Sequence, residues 1–197
     1  MPRKSLHAPE AMLDVARDLL LEEGAHGATI EAISAVSGAP TGSIYHRFGS
    51  RDELVTRLWM RAVRRSQAAF LDAVDVEDRA LAAVSGGMSI FDFCRAQPRD
   101  ARLLVSFRYE DLVRAAPQGS LADELQELNR PVEAAVAGLA RALHGRATPA
   151  AVGHVLLVVF DLPYGAVRRH LIAGVDPPQR LRADLERALR GALAIVE

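Results

Sequence analysis

The sequence predicts an all-α fold, and three observations carry that prediction. Alanine supplies 34 of the 197 residues and arginine nearly all the basic charge; with leucine, these are strong helix formers. Aromatic residues, which favour strands, make up only 5%. No window alternates apolar and polar residues with a period of two, whereas apolar residues recur at three- and four-residue intervals in about nine segments. A composition 50% apolar and 25% charged excludes a disordered chain. The lone Cys94 excludes a disulfide scaffold. With no apolar stretch behind Met1–Ser5, it leads us to expect a cytoplasmic protein. The net charge of −1 gives no general basic field toward nucleic acid or membrane. The longest uncharged run, Ala147 to Phe160, has 14 residues against the roughly 20 of a membrane span, so a buried helix and no membrane partner are expected.

The first helix is predicted over about Ala8 to Glu23, because Met12, Val15, Ala16, Leu19 and Leu20 share one face and Gly24 stops it. Thr29 can cap a short helix whose apolar pattern is Ile30, Ile33 and Val36, ended by Ser37-Gly38. Pro40 opens a second short helix to Phe48, since a first-turn proline lacks only an N–H that had no partner. Gly49-Ser50 breaks it, and Ser50 can cap a long helix from Arg51 to about Leu71. Further helices are predicted at about 77–96, 99–108, 121–143, 149–172 and 179–196. Pro98, the Ala116–Gly119 stretch and Gly174–Pro178 separate them, while Pro131 and Pro163 mark kinks or boundaries inside helical patterns.

The informative stretch is Thr29 to Phe48, TIEAISAVSGAPTGSIYHRF, two short helices joined by a glycine-containing turn. At 100° per residue, Ile44 and Phe48 point into a core while Gly42 and His46 point away, flanked by Ser43 and Tyr45. Small polar groups of this kind can reach base edges or phosphates in a major groove, and Gly42 permits close backbone approach. Taken alone, such a face is also what any short solvated helix presents.

This segment resembles the TetR family of bacterial transcriptional regulators. The matching residues are Thr29, Ile33, Gly38, Gly42, Tyr45, Phe48, Arg51 and Leu54, in unbroken spacing, and the resemblance extends over residues 8 to about 60. The departures are Ser34 and Ser37 for alanine, Ala39 for valine, Pro40 for serine and Arg51 for lysine. Ser34 and Ala39 are expected to loosen packing slightly, and Pro40 removes a hydroxyl and an N–H that could have met a phosphate.

The resemblance implies an N-terminal three-helix helix-turn-helix DNA-binding domain over residues 1–52. The helix 51–71 then links it to an effector-binding and dimerisation domain over 53–197. It also implies a homodimer on palindromic double-stranded operator DNA, with recognition helices about 34–36 Å apart, acting as a repressor released by a small-molecule effector. Thr29, Thr41, Tyr45 and Arg51 would hold phosphates, Ser43 and His46 would lie nearer base edges, and Pro40, Gly42 and Arg47 would complete the DNA-facing set. Arg3 and Lys4 form either a basic arm or a solvated terminus. Residues 1–65 carry a net +1 and the remainder −2, so DNA binding rests on local placement. A dimer with roughly 8 phosphate contacts gives a log–log salt slope near −7.

Residues beyond 75 carry no comparable motif. Val152, Val155, Leu156 and Val159 on one helix and Leu181, Leu185 and Leu189 on the next suit either a four-helix dimer interface or a monomer core; the resemblance favours the dimer. Trp59, Phe91, Cys94, Phe107 and Tyr109, with the polar handles His154, Asp161 and Tyr164, are candidates for an effector pocket, against the alternative that they are ordinary core. The expected effector is hydrophobic or amphipathic. Asp161 either caps a break before Pro163 or orients that ligand. His144, His154 and His170 are widely spaced and read as ordinary residues. No phosphate loop, chelating pair or nucleophile elbow is found, so neither enzyme activity, cofactor nor metal is expected. The competing reading is a helical small-molecule-binding module without sequence-specific DNA binding.

Overall fold

A computed structural model describes residues 8–194, and every regular element among them is helical. They form two compact units. One comprises the described residues up to Val63 together with Arg102–Glu127; the other comprises Arg64–Ala101 and the described residues from Leu128 onward.

The first unit is built on α1 (Pro9–Glu23), α2 (Ile30–Ser37), α3 (Thr41–Phe48) and the N-terminal part of α4 (Arg51–Val74). Each start has a local cause. Thr29 Oγ1 accepts from Ala32 N–H at 3.1 Å, and Ser50 Oγ accepts from Glu53 N–H at 3.1 Å. Gly38 closes α2 in the left-handed region at φ 69°, which a residue with a Cβ adopts at a cost. Met12, Leu20, Ile33, Ile44, Leu54 and Leu58 are fully buried against one another. Burying each such side chain contributes about 1.5–3 kcal/mol. Leu103 of α6 (Pro98–Ser106) and Leu112 of the short α7 (Tyr109–Leu112) join the same core. No local pattern predicts α7, because its one turn is too short to show a period.

In the second unit α5 (Arg79–Ala96) packs against α9 (Arg130–His144), α11 (Leu162–Ile172) and α12 (Arg180–Ala194). Its middle is glycine because neighbours come too close for a side chain. A Cβ on Gly87 would sit 2.7 Å from Leu189 Cδ1, and one on Gly86 would sit 2.8 Å from Val74 Cγ1. Phe70 and Phe160 pack nearby with ring centroids 5.0 Å apart.

Both internal prolines act locally. The helix expected over 121–143 is two, α8 (Ser120–Glu127) and α9, because Pro131 stands in the first turn of α9. Pro163 does not break its helix. A π-helical turn, Leu157–Asp161, joins α10 (Pro149–Leu156) to α11, and the Leu162 N–H reaches Leu157 O, five residues back. The wider turn accommodates the proline that follows it. Pro149–Ile172 is long and apolar enough to cross a membrane by composition, but core helices of soluble proteins meet the same test. A third of its most apolar window is buried, so the expectation of a buried helix holds for one side only: Leu156, Leu157 and Tyr164 are exposed.

Candidate nucleic-acid interface

The turn between α2 and α3 is clamped from both sides. Ser34 Oγ donates to Ala39 O at 2.8 Å, and the Ala39 N–H donates to Ser37 Oγ at 3.2 Å. The expected loosening at Ser34 and Ala39 is therefore offset, because two serine hydroxyls hold the alanine's backbone where a larger side chain would have packed. Ala39 itself is buried. This fixes where α3 starts, with Pro40 as its N-terminal cap.

Ile44 and Phe48 anchor α3 in the core. The opposite side leaves Pro40, Thr41, Gly42, Tyr45, His46 and Arg47 exposed, with Ser43 half-buried. A Cβ built on Gly42 meets nothing within 4 Å, and its φ is not positive. Neither the fold nor the backbone conformation therefore demands glycine there. Thr29 is exposed at the start of α2; its oxygen accepts the cap bond, which leaves the hydroxyl proton available to an acceptor. Arg3 and Lys4 lie outside the described residues.

Arg51, expected at a phosphate, is engaged within its own unit. Its Nε donates to Ala28 O at 3.0 Å and its Nη2 to Ala25 O at 2.8 Å. Nη1 donates to Leu112 O and, at 3.0 Å, to Asp52 Oδ1. All three guanidinium nitrogens thus bind groups within the unit, and the side chain is only 18% exposed. The α1–α2 loop ends in carbonyls that need donors, and the three-nitrogen fork of Arg51 meets two of them together with Leu112 O. The neighbouring Asp52 receives the N–H groups of Arg114 and Ala115 on Oδ2 at 2.9 and 2.8 Å. Burial pushes its carboxyl up, but the Arg51 side-chain bond, the two backbone bonds and the Arg51 charge outweigh this and hold it below 3.8. Thr56 Oγ1 lies 3.0 Å from Tyr109 Oη. A segment more than 50 residues downstream is in this way latched to the start of α4. Sequence reasoning missed this contact, since no local pattern pairs 51–56 with 109–115.

The remaining candidates do not converge. Trp59, Phe107 and Tyr109 belong to the first unit, where the Trp59 and Tyr109 rings lie 6.4 Å apart and Phe107 packs on the core. Phe91 and Cys94 are buried in the second unit, and Asp161 and Tyr164 are exposed there. Asp161 lies within the π-helical turn and its side chain makes no cap bond to α11. His154 Nδ1 lies 3.2 Å from His144 Nε2, and its Nε2 lies 3.3 Å from Ala192 O. These two histidines, ten residues apart in sequence, meet because α9 and α10 are neighbours. Burial, with the charge of Asp176, pushes the Cys94 thiol up to about 12, which disfavours the reactive thiolate. Val155, Val159, Leu185 and Leu189, expected at a dimer interface, are buried inside their own unit, where α9 packs on α10 and α5 packs on the π-helical turn and α12. Val152 and Leu181 are half-buried and Leu156 is exposed.

The second unit instead carries an open cavity of about 780 Å³ between α4, α5 and α12. Ala69, Val84 and Met88 line it, and Arg65, Asp92 and Arg182 supply charge. Arg182 Nε pairs with Asp92 Oδ1 at 3.3 Å, and Arg65 pairs with the buried Asp100 at 2.7 Å.

An all-α chain with two short helices, a clamped turn and an exposed polar second helix defines a helix-turn-helix protein. Residues 12–58 match the model for bacterial regulatory proteins of the tetR family. Over this stretch, about a quarter of the chain, the sequence is similar to that family. Among solved structures, a TetR-like transcriptional regulator from Rhodococcus sp. RHA1 aligns over 100% of both chains, with 18% identity and a TM-score of 0.69. A transcriptional regulator from the same organism aligns over 96% of this chain and 95% of its own, with 20% identity and a TM-score of 0.66. The fatty acid degradation regulator FadR from Bacillus halodurans aligns over 91% and 96%, with 15% identity and a TM-score of 0.65. At these identities the likeness concerns the fold. No curated protein matches the chain.

Proposed function

We propose that the chain is a cytoplasmic, non-enzymatic transcription regulator. It would bind a palindromic operator as a homodimer, most simply as a repressor, and leave it when a small amphipathic effector binds. The observation that carries this reading is the outward face of α3. It presents Thr41, Tyr45, His46 and Arg47 around a Gly42 that the fold does not require. A glycine with open space above it lets a partner's backbone come close.

In this reading Ser43 and His46 face base edges, and Thr29, Thr41 and Tyr45 donate hydroxyls to phosphates. Arg47 supplies exposed positive charge. Arg51 becomes an organiser of the domain and not a phosphate ligand. Its withdrawal removes about two contacts per dimer, so the salt slope is nearer −5 than −7. The DNA-binding part is centred on residues 1–52, and the effector and dimer part on the second unit.

The effector site is the cavity of the second unit, whose apolar wall and charged rim suit an amphipathic ligand. The dimer contact uses what α10 to α12 leave exposed or half-buried, namely Leu156, Leu157, Tyr164, Val152 and Leu181. Effector binding would shift α4, which contributes to both units, with a coupling of about 1–3 kcal/mol.

The deciding experiment is salt-dependent binding to the DNA upstream of the protein's own gene and to a scrambled duplex. Selective binding that falls with His46→Ala is expected. Equally weak binding to both duplexes, and to a random-sequence pool, would overturn the reading in favour of a helical small-molecule-binding module.

A further inference from the structure

A groove of about 330 Å³ in the first unit brings Thr29, Tyr45 and Ser50 together with Arg114. Arg114 comes from the segment that follows α7, far from the helix-turn-helix in sequence. Its place is set by the backbone, since its own N–H and that of Ala115 both donate to Asp52 Oδ2. Leu112, two residues earlier, is buried in the core and gives its carbonyl to Arg51. The main chain around Arg114 is therefore anchored at three points. Its side chain is exposed, and its guanidinium makes no hydrogen bond or ion pair with any described residue.

We infer that Arg114 is a DNA-phosphate contact, supplied by a remote segment to the edge of the helix-turn-helix. The inference rests on the proposed DNA-binding function and extends it. An anchored backbone carrying an uncommitted guanidinium, beside two exposed hydroxyl residues, is a setting in which a phosphate oxygen is bound through charge and several donors at once. The acids in the groove are Asp52 and Glu31. Asp52 is met by Arg51 and two N–H groups, which leaves Glu31 as the unpaired negative charge and sets the side from which DNA approaches. The contact also makes DNA affinity depend on the segment 109–115. The latch that organises the start of α4 holds a DNA ligand of its own.

The test begins with a duplex that the wild-type protein selects from a random-sequence pool. On it, Arg114→Gln is expected to weaken binding about 10- to 100-fold near 0.1 M salt and to make the salt slope of the dimer about 2 shallower. The loss should be equal on non-specific duplexes, because a phosphate carries no sequence information. Arg114→Lys should recover most of the affinity. Arg146→Gln, which removes an exposed charge from the turn after α9, should leave affinity unchanged. Thermal unfolding followed by Trp59 fluorescence should not move in Arg114→Gln, since the side chain holds nothing in the fold. An unchanged Kd and slope for Arg114→Gln, in a wild type that selects a duplex, would overturn this inference alone. A wild type that selects none would overturn the DNA-binding reading, and this inference with it.

Discussion

Replacing Arg51 distinguishes its two possible roles. As a phosphate ligand it would tolerate lysine; as the clamp seen here it would not. The guanidinium donates to Ala25 O, Ala28 O and Leu112 O and pairs with Asp52. A hydrogen bond to a charged group contributes about 1.5–3 kcal/mol, and bonds sharing one side chain are less than additive. Arg51→Met should therefore cost about 3 kcal/mol. A lysine nitrogen is a single point and cannot bridge three separate carbonyls, so Arg51→Lys should still cost about 2 kcal/mol. Trp59 is the only tryptophan in the sequence and packs on the core of this unit, so its fluorescence follows the unit concerned. For a unit of about 60–100 residues, 2 kcal/mol lowers the midpoint by about 8–16 °C. If Arg51→Lys melted within about 2 °C of the wild type while losing DNA affinity, the clamp argument would be refuted and the phosphate role restored.

Four further outcomes are expected. Gly42→Ala should leave the fold intact or stabilise it by up to about 1 kcal/mol, since a helical glycine with open space gains from alanine, yet weaken operator binding; calorimetry and a mobility-shift titration read the two effects. Ile44→Ala empties a fully buried site and should cost about 2–5 kcal/mol in urea unfolding. The Asp52 carboxyl is held below its unfolded value of 3.8, so its stabilising contribution is complete above that value and is lost as pH falls through the lower folded one. Protection of the Arg114 and Ala115 amides against exchange, taken relative to their intrinsic rates, should fall in that acid range, and Asp52→Asn should abolish that fall. Cys94, buried and pushed up to about 12, should resist a thiol reagent at pH 8 until the protein unfolds.

Much of this molecule was legible in one dimension, because the decisive signals are local. Thr29, Gly38 and Ser50 cap or stop helices through groups three or four residues away, and the 3.6-residue period places Ile44 and Phe48 inward with His46 outward. Those rules need no knowledge of what lies across the fold, so the helix-turn-helix and its exposed face follow from residues 29–48 alone. What packs where depends on distant partners. Val155, Val159, Leu185 and Leu189 form apolar stripes that fit a monomer core and a dimer contact equally well; only the packing of α9 on α10 and of α5 on the π-helical turn and α12, with Gly87 admitting Leu189, places them inside. The aromatics from Trp59 to Tyr109 looked like one pocket in sequence but divide between two units. Arg51 matched a family position by type, yet its direction was set by carbonyls of the α1–α2 loop and of Leu112. A long, flexible cation takes its partners from whatever acceptors the tertiary fold leaves unsatisfied, and no local rule records where those are. The same dependence brought Arg114 beside Thr29 and Tyr45, through an Asp52 carboxylate that needed two donors and found them more than 60 residues along the chain.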